Sequence, residues 1–446
     1  MTGCVNCTLR IFKDADGSER IEYAESGLDK DSSLEAEFRL DELAQLSVER
    51  LSHWIHTGVK LDEQNPKADP TCTVDDLRAL GLHLYRLLFA DQKLRARFEN
   101  LYQRFELKHA NTPTLRLRVE LEFGDGMEWL AALPWEFLYI NAGKDLAQGV
   151  FLAGERTDLL LTRRLSLPPI AGRQLENQLR ILIATCRPNV LDLIDEKEIN
   201  AVIAKIEGLK HGLKDRVKII LLHGANYSRL RDAIQGNVRK DDGTYEQVGP
   251  PHVVHFIGHG KEGKLALMKY QGEDNDYDPG EGGEQYRWAA ANQIRGLFKG
   301  SQVRLVFLHA CKGAASESLE VLRSVAREIL REQIPAVVAM QFNISNSDAG
   351  VFAKTFYEEL GKGKDVDEAV KLGRIKLGSL FPPWEHPRFG TPVVYLQTND
   401  PLVGPEDVSP DTSERAALRT DVVKGEPVAA AAAPPAQRDQ REQREG

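Results

Sequence analysis

The sequence has few cysteines, no long apolar runs and no excess of positive charge. Its 446 residues include only five cysteines, and these are too scattered for a disulfide framework. We therefore expect a reducing compartment, the cytoplasm, where a thiol remains free and reactive. The formal net charge of −9 argues against direct nucleic-acid binding, because neutralising phosphates requires a basic surface.

No apolar stretch of about 18 residues or more occurs, so neither a transmembrane helix nor membrane association is expected. The start of the chain, MTGCVNCTLRIFKDADG, lacks the basic segment and apolar run of a secretory signal. The composition is instead that of a globular protein, with 42% hydrophobic and 28% charged residues. A chain of this length can bury a large core and form two to three domains of about 150 residues each.

Residues 1–170 are predicted to form an N-terminal α+β region. CTLRIF, RIEYAES and LRLRVELEF are predicted strands, and the stretch from VDDLRALG to LYQRFEL has apolar residues at helical spacing. LAALPWEFLY follows, with a bend expected at its proline. Two prolines and a glycine in residues 167–174 indicate a linker, and therefore the main domain boundary. This region would pack on the following domain or sense an activating partner.

From residue 179 onward, short apolar runs alternate with amphipathic helices. This alternation predicts right-handed crossovers and a mostly parallel six-stranded sheet flanked by helices, in a domain of residues 175–398. One of the intervening helices is predicted over WAAANQIRGLFKG. Residues 399–446 are rich in proline, alanine and charge and are predicted to be a disordered tail. The six predicted strands lie in LRILIATCRP, VKIILLHGAN, HVVHFIGHG, VRLVFLHAC, IPAVVAMQF and TPVVYLQ.

Two residues with catalytic potential follow predicted strands. His259 ends the third run and Cys311 the fourth, 52 residues later (311 − 259). In parallel sheets, functional groups sit beyond the carboxyl ends of the strands. An imidazole there can take the thiol proton and so activate the nucleophile. The backbone nitrogens of Gly260 and Cys311 would supply a two-donor oxyanion hole.

The segment HACKG around Cys311 resembles the caspase pentapeptide, whose histidine lies about 50 residues upstream. LPWEFLY, HFIGHG, LHACKG and IPAVVAMQFNISNSDAGVFAKTFYEEL resemble the CHAT group of the caspase-like superfamily, over residues 115–397. The resemblance implies a caspase-like fold and a cysteine endopeptidase with a His259–Cys311 dyad. CHAT proteins are typically bacterial, and several act in defence or programmed-death modules. The implied partner is a protein substrate, such as a gasdermin-like or other defence effector.

The sequence departs from the caspase pattern at His309, two residues before Cys311, where caspases have glutamine. In related enzymes this position helps to line the primary specificity pocket. His309 is therefore a candidate specificity residue, and a preference for aspartate does not carry over by default. A strand-end packing role for His309 is the alternative.

Several other interpretations stay open or are set aside. A catalytically silent caspase-fold interaction module is the main alternative to an enzyme. GHGKEGKL (residues 258–265) resembles the sequence pattern of a phosphate-binding loop, but Leu265 occupies the position where the pattern needs Ser or Thr, and a strand is predicted next.

Cys4 and Cys7 form a lone CxxC without a second pair, so no metal and no cofactor are expected. Residues 237–250 and 270–286 are candidate processing or recognition loops.

Overall fold

The structure, a computed structural model, describes most of the chain between residues 3 and 398. Cys72, Cys311, His53 and His56 lie outside the described residues, as do most of the acidic loop and the predicted tail. The described residues are 3–28, 31–39, 46–48, 50, 73–124, 126–127, 129–141, 149–168, 170, 178–188, 196–208, 217–240, 243–261, 263–269, 285–309, 318–342, 344–380 and 387–398.

The strands and helices within these ranges alternate along the second half of the chain. The strands are β1 (Cys4–Lys13), β2 (Glu19–Ser26), β3 (Ser32–Glu37), β4 (Arg116–Phe123), β5 (Tyr139–Ile140), β6 (Val150–Phe151), β7 (Leu159–Leu165), β8 (Leu179–Thr185), β9 (Val217–Leu222), β10 (Asn237–Arg239), β11 (Tyr245–Gln247), β12 (Val253–Ile257), β13 (Gly260–Lys261), β14 (Lys264–Met268), β15 (Tyr286–Ala290), β16 (Leu305–His309), β17 (Ala336–Met340) and β18 (Pro392–Leu396). The helices are α1 (Val74–Leu88), α2 (Gln92–His109), α3 (Glu196–Glu207), α4 (Tyr227–Ile234), α5 (Ala291–Leu297), α6 (Ser318–Arg331), α7 (Asn346–Gly361) and α8 (Val366–Gly378), with 3₁₀ turns at Leu130–Ala132, Trp135–Phe137 and Pro387–Gly390.

The long helical stretch in the N-terminal region forms two helices because a second N-cap interrupts it. Thr73 caps α1: its hydroxyl accepts from the Asp76 backbone N–H, and the Asp76 carboxylate accepts from the Thr73 backbone N–H. The carboxylate of Asp91 then accepts from the backbone N–H groups of Lys93 and Leu94, which starts α2. Such caps satisfy backbone donors that have no partner inside the helix.

The six strands predicted for the second half of the chain are confirmed as β8, β9, β12, β16, β17 and β18. They lie side by side in the order β18-β17-β16-β12-β8-β9. All neighbours in this group are parallel except β17 and β18, which are antiparallel. The predicted architecture, a mostly parallel sheet flanked by helices, is therefore confirmed. We call the edge at which β8, β9, β12, β16 and β17 end the His259 edge.

The sheet does not stop at β18. β7 pairs with β18 at Tyr395 and Arg163, and β4, β1, β2 and β3 continue the sheet to eleven strands among the described residues. The N-terminal strands alternate between a buried face and a more exposed face, so they can join the sheet while one face packs against α1 and α2. Strands from both sides of the predicted boundary thus share one sheet. The division into two domains itself stays a prediction.

Two buried apolar clusters form the core. The larger surrounds the strands of the second half of the chain. The smaller is built from β1, β2, β4, α1 and α2, and two residues from the second half of the chain, Phe342 and Phe389, complete it. The N-terminal core is therefore closed by residues that flank β17 and β18.

A small three-stranded sheet, β13-β14-β15, follows His259. Lys264–Met268 is a strand, as predicted, so no helix N-terminus follows GHGKEGKL to hold a phosphate. The prediction that the next helix begins at Trp288 is wrong. Trp288–Ala290 belongs to β15, which pairs with β14, and α5 begins at Ala291. No helix in the described part of the chain is long and apolar enough to cross a membrane.

Candidate active site

His259 stands two residues beyond the end of β12, at the His259 edge. Its side chain is buried. The backbone is fixed on both sides of it: the Gly258 N–H donates to the carbonyl of His309 at 3.1 Å, and the carbonyl of His259 accepts from the Ala266 N–H at 2.9 Å. The main chain at His259 is therefore fixed between the last residue of β16 and the strand β14.

Gly258 meets a steric requirement next to the histidine. A Cβ atom at this position would lie 2.8 Å from the Phe256 ring and 3.2 Å from the carbonyl oxygen of Cys186. The first distance is below any normal contact, and the ring is buried. Only glycine therefore lets the chain turn from β12 toward His259 at this point.

The strands that carry the two predicted catalytic residues are direct neighbours. β12 and β16 are parallel, and Ile257 is paired with His309. In the sequence, His259 comes two residues after Ile257, and Cys311 comes two residues after His309. Cys311 itself lies outside the described residues, so its pairing with His259 stays a prediction. The role of Gly260, the first residue of β13, in an oxyanion hole stays a prediction as well.

His309 is the last residue of β16 and is 6% exposed. Its ring centroid lies 6.1 Å from that of His255, a residue that sequence reasoning did not single out. His255 is fully buried, and its ring centroid lies 4.2 Å from that of Phe307. Its Nδ1 atom forms a 3.2 Å hydrogen bond with the Tyr357 hydroxyl. Burial, and then the charge of His309, lowers the pKa of His255 well below its usual value, so its ring is neutral at neutral pH. A specificity role for His309 stays a prediction.

The cysteines in the described part of the chain are poor nucleophiles. Cys186 follows β8 at the His259 edge, but burial raises the pKa of its thiol to about 12. Burial likewise raises the pKa of Cys7 and of Cys4. A thiol with a raised pKa contributes little thiolate at neutral pH.

The two cysteines of the CxxC motif lie on opposite faces of one strand. Cys4 and Cys7 both lie on β1, three positions apart, and side chains alternate between the faces of a strand. Cys7 is accordingly buried in the N-terminal core, while Cys4 lies on the other face. Among the described residues, no group of three or more His, Cys, Asp or Glu side chains is arranged to hold a metal ion.

The His259 edge also carries residues that the sequence reasoning passed over. Arg187 follows β8 and is partly exposed, and Gln341 follows β17 and is buried. Their positions directly after buried strands were the available signal. Of the candidate processing loops, residues 237–250 include the antiparallel pair β10 and β11, and Lys240 and Gly243, which lie between these strands in the chain, are exposed. Residues 270–284 lie outside the described part of the chain.

A polar cleft of about 320 Å³ opens on the N-terminal half of the sheet. Its charges are paired with one another or with α8: Arg10 with Glu122 at 3.2 Å, and Arg118 with Asp367 at 2.6 Å. It contains none of the predicted site residues. Its lining is Asn6, Thr8, Arg10, Glu22, Ala24, Ser26, Arg118, Glu120, Glu122 and Arg164.

Comparison with known proteins gives one family match. The CHAT domain model matches residues 78–380, well over half of the chain. No curated protein sequence matches significantly. Among solved structures, the chain is similar to the complex of Porphyromonas gingivalis RgpB pro- and mature domains, with 12% identity and a TM-score of 0.36, over 82% of this chain and 78% of that chain.

Proposed function

Because this chain belongs to the CHAT domain family, we propose that it is a cysteine endopeptidase with Cys311 as nucleophile and His259 as general base. The observation that carries the proposal is the register of β12 and β16. Ile257 and His309 are paired in parallel, and each proposed catalytic residue stands two positions beyond this pair. Segments that follow two adjacent parallel strands leave the sheet at the same edge, so their first residues are expected to lie near each other.

The geometry around His259 suits a general base. The backbone hydrogen bonds of Gly258 and His259 fix the main chain that carries the imidazole, which would reduce the reorganisation needed at each proton transfer. Among the described cysteines, Cys186 lies at this edge, and its thiol would not compete because burial raises its pKa. The thiol of Cys311 would therefore be the one that His259 activates.

In the proposed reaction, His259 takes the proton of the Cys311 thiol, and the sulfur attacks the scissile carbonyl carbon. The resulting oxyanion would accept hydrogen bonds from the backbone nitrogens of Gly260 and Cys311. His259 then gives the proton to the leaving amine as the C–N bond breaks, which leaves a thioester. Water, deprotonated by His259, attacks the thioester, and the proton returns to the sulfur as the acid product leaves.

The substrate would be a partner protein cleaved at one or a few sites. A gasdermin-like or other bacterial defence effector is the kind of target that the family resemblance suggests. The caspase-like fold can also serve as an interaction module without turnover. The presence of both His259 and Cys311 favours the enzyme.

Labelling with a thiol-reactive peptide electrophile tests the proposal. We expect selective modification of Cys311 in the wild type, none at that position in Cys311→Ala, and labelling slowed by roughly 10²-fold or more in His259→Ala. Cys186→Ala is the matched control and should label like the wild type. Equal labelling of wild type and His259→Ala would refute the dyad and leave the interaction module as the better account.

A further inference from the structure

A fully buried polar network links the LPWEFLY segment to the end of β17. We call Glu136, Arg163, Arg374 and Gln341 the Glu136 network. Arg163 binds the Glu136 carboxylate through two nitrogens, with Nε at 3.2 Å from Oε1. Gln341 Nε2 donates to Glu136 Oε2 at 2.7 Å, and Arg374 approaches Oε1 at 3.4 Å. All four side chains are at most 3% exposed.

The network holds two segments at the His259 edge together. Gln341 follows β17, and residues 387–391 precede β18, which begins at that edge because it is antiparallel to β17. Gln341 Nε2 donates to the Gly390 carbonyl at 2.5 Å, and its backbone N–H donates to the Thr391 carbonyl at 2.9 Å. Arg374 donates to the Pro392 carbonyl at 2.8 Å. The Glu136 carboxylate thus helps to fix both Gln341 after β17 and the residues before β18.

Phe137, the neighbour of Glu136, reinforces the same two segments. Its ring lies 5.8 Å from that of Phe342 and 5.4 Å, edge to face, from that of Phe389. A Cβ atom on Gly390 would lie 2.4 Å from the Phe137 ring, so the contact admits only glycine there. Glu136 and Phe137 therefore fix Gln341 and Phe342 through both polar and apolar contacts.

Ser345, which lies shortly after Phe342 in the chain, is also anchored. Its hydroxyl accepts from the Asp348 N–H at 3.0 Å and caps α7. The Asp348 carboxylate pairs with Arg388 at 3.0 Å, which ties α7 back to the segment before β18. β17 adjoins β16, the strand that leads to Cys311. A polypeptide lying across the ends of β12, β16 and β17 would therefore meet the chain where it leaves β17, at Gln341 and Phe342.

We infer that the Glu136 network positions Gln341 and Phe342, directly after β17, for substrate binding, so that Glu136 and Gln341 are positioning residues of the proposed active site. This inference rests on the proposed function, because it assigns part of the surface on which the proposed protease would bind its substrate. Outside the network itself, its described side-chain hydrogen bonds run to backbone carbonyls such as those of Gly390 and Pro392, and none of them involves His259, the proposed base. The network should therefore affect the binding of a peptide but not the intrinsic reactivity of the thiol.

Two labelling rates at Cys311 separate these effects. A peptide electrophile needs the substrate surface, whereas iodoacetamide, a small reagent, reports the thiol and its base. In Gln341→Leu, which leaves Glu136 paired with both arginines, we expect the peptide electrophile to react roughly ten- to hundredfold more slowly, mainly through weaker binding. The iodoacetamide rate should stay within about twofold of the wild type.

Further variants control for a merely structural role. Glu25, a buried carboxylate on β2, is bound by Arg104 at 2.7 Å and by Tyr23. Glu25→Gln should lower the melting temperature but leave both rates unchanged. The exchange Glu136→Gln with Gln341→Glu keeps one carboxylate in the network and should regain much of the peptide rate lost in Glu136→Gln alone.

The outcomes are distinct. Slower peptide labelling with normal iodoacetamide labelling supports the inference. Unchanged peptide labelling in Gln341→Leu overturns it, and so does an equal fall in both rates, because that would mean general damage to the fold. If Glu136→Gln fails to fold, Gln341→Leu alone decides. A wild-type Cys311 whose iodoacetamide rate is independent of His259 would instead refute the proposed function, and this inference with it.

Discussion

Removing the Glu136 carboxylate should destabilise the fold more than removing the Arg374 guanidinium. In Glu136→Gln, Arg163 and Arg374 both stay buried, at 2% and 1% exposure, without a direct counter-charge. Breaking a buried ion pair by removing one partner typically costs about 3–5 kcal/mol. Because two cations lose the same anion, we expect the upper part of that range.

The expectation for Arg374→Met is different because the network holds one more cation than anion. Burial, and then the nearby Arg163, lowers the pKa of Arg374 to about 10 although Glu136 opposes the change. From an ordinary value of 12.5, this corresponds to a cost of about 3 kcal/mol for holding the charge in the folded state at neutral pH. Losing the two hydrogen bonds that the charged guanidinium donates to the Pro392 carbonyl costs about 1.5–3 kcal/mol each. The relief of the charge burial offsets much of this cost, so we expect a net loss of at most about 3 kcal/mol.

Urea unfolding, followed by tryptophan fluorescence and circular dichroism, measures both losses. Trp135 adjoins Glu136 in the chain and is fully buried, so it reports on this region. The double variant Glu136→Gln, Arg374→Met should be more stable than Glu136→Gln, because one of the two uncompensated cations is gone. If Arg374→Met loses as much stability as Glu136→Gln, or if the double variant regains nothing, the charge reasoning is refuted.

Three further predictions concern residues near the site. Gly258→Ala should cost about 1–3 kcal/mol and slow labelling by the peptide electrophile, whereas Gly208→Ala, where a Cβ makes ordinary contacts, should do neither; equal effects would contradict the steric argument. Burial lowers the pKa of His255 well below its usual value and that of His252 to about 4, so below about pH 6.5 the unfolded chain binds protons that the folded state does not. Stability should therefore fall as the pH drops from 6.5 toward 4, and His255→Phe should reduce this slope by up to about 1.4 kcal/mol per pH unit in urea titrations at several pH values; an unchanged slope would count against it. Iodoacetamide at pH 7.5 should leave Cys186 unmodified in the folded protein, and peptide mapping that finds it alkylated would show that its thiol is not buried as described.

The second half of the fold could be predicted because its pattern is local. Each of the six strands is a continuous apolar run, which both faces of a covered parallel sheet require. The placement of His259 followed from the rule about strand ends, and the pairing of Ile257 with His309 agrees with it. The start of α5 was misplaced because Trp288, Ala289 and Ala290 also suit a helix, and only pairing with β14 makes them a strand.

The continuation of the sheet into the N-terminal half was not predictable in this way. It depends on Tyr395 meeting Arg163, residues far apart in the chain, and no local pattern records such a pairing. The same applies to the Glu136 network, in which Glu136 bonds to Gln341 across 205 positions and to Arg374 across 238. The sequence of LPWEFLY resembles that of a family, but the contacts that Glu136 of this segment makes can be identified only in the three-dimensional structure.

The pairing of β18 on both sides limits how copies of this protein can assemble through their sheets. A strand with two neighbours offers no free backbone groups, so a second molecule cannot add to β18. In the described part of the chain, the sheet ends at β3 and at β9. With neighbouring strands about 4.8 Å apart, β3 lies roughly 34 Å from β16, and β9 only about 14 Å. An oligomer joined at β9 would bring its contacts within reach of β12 and β16, the strands that lead to the proposed catalytic residues, whereas one joined at β3 would leave each proposed site independent.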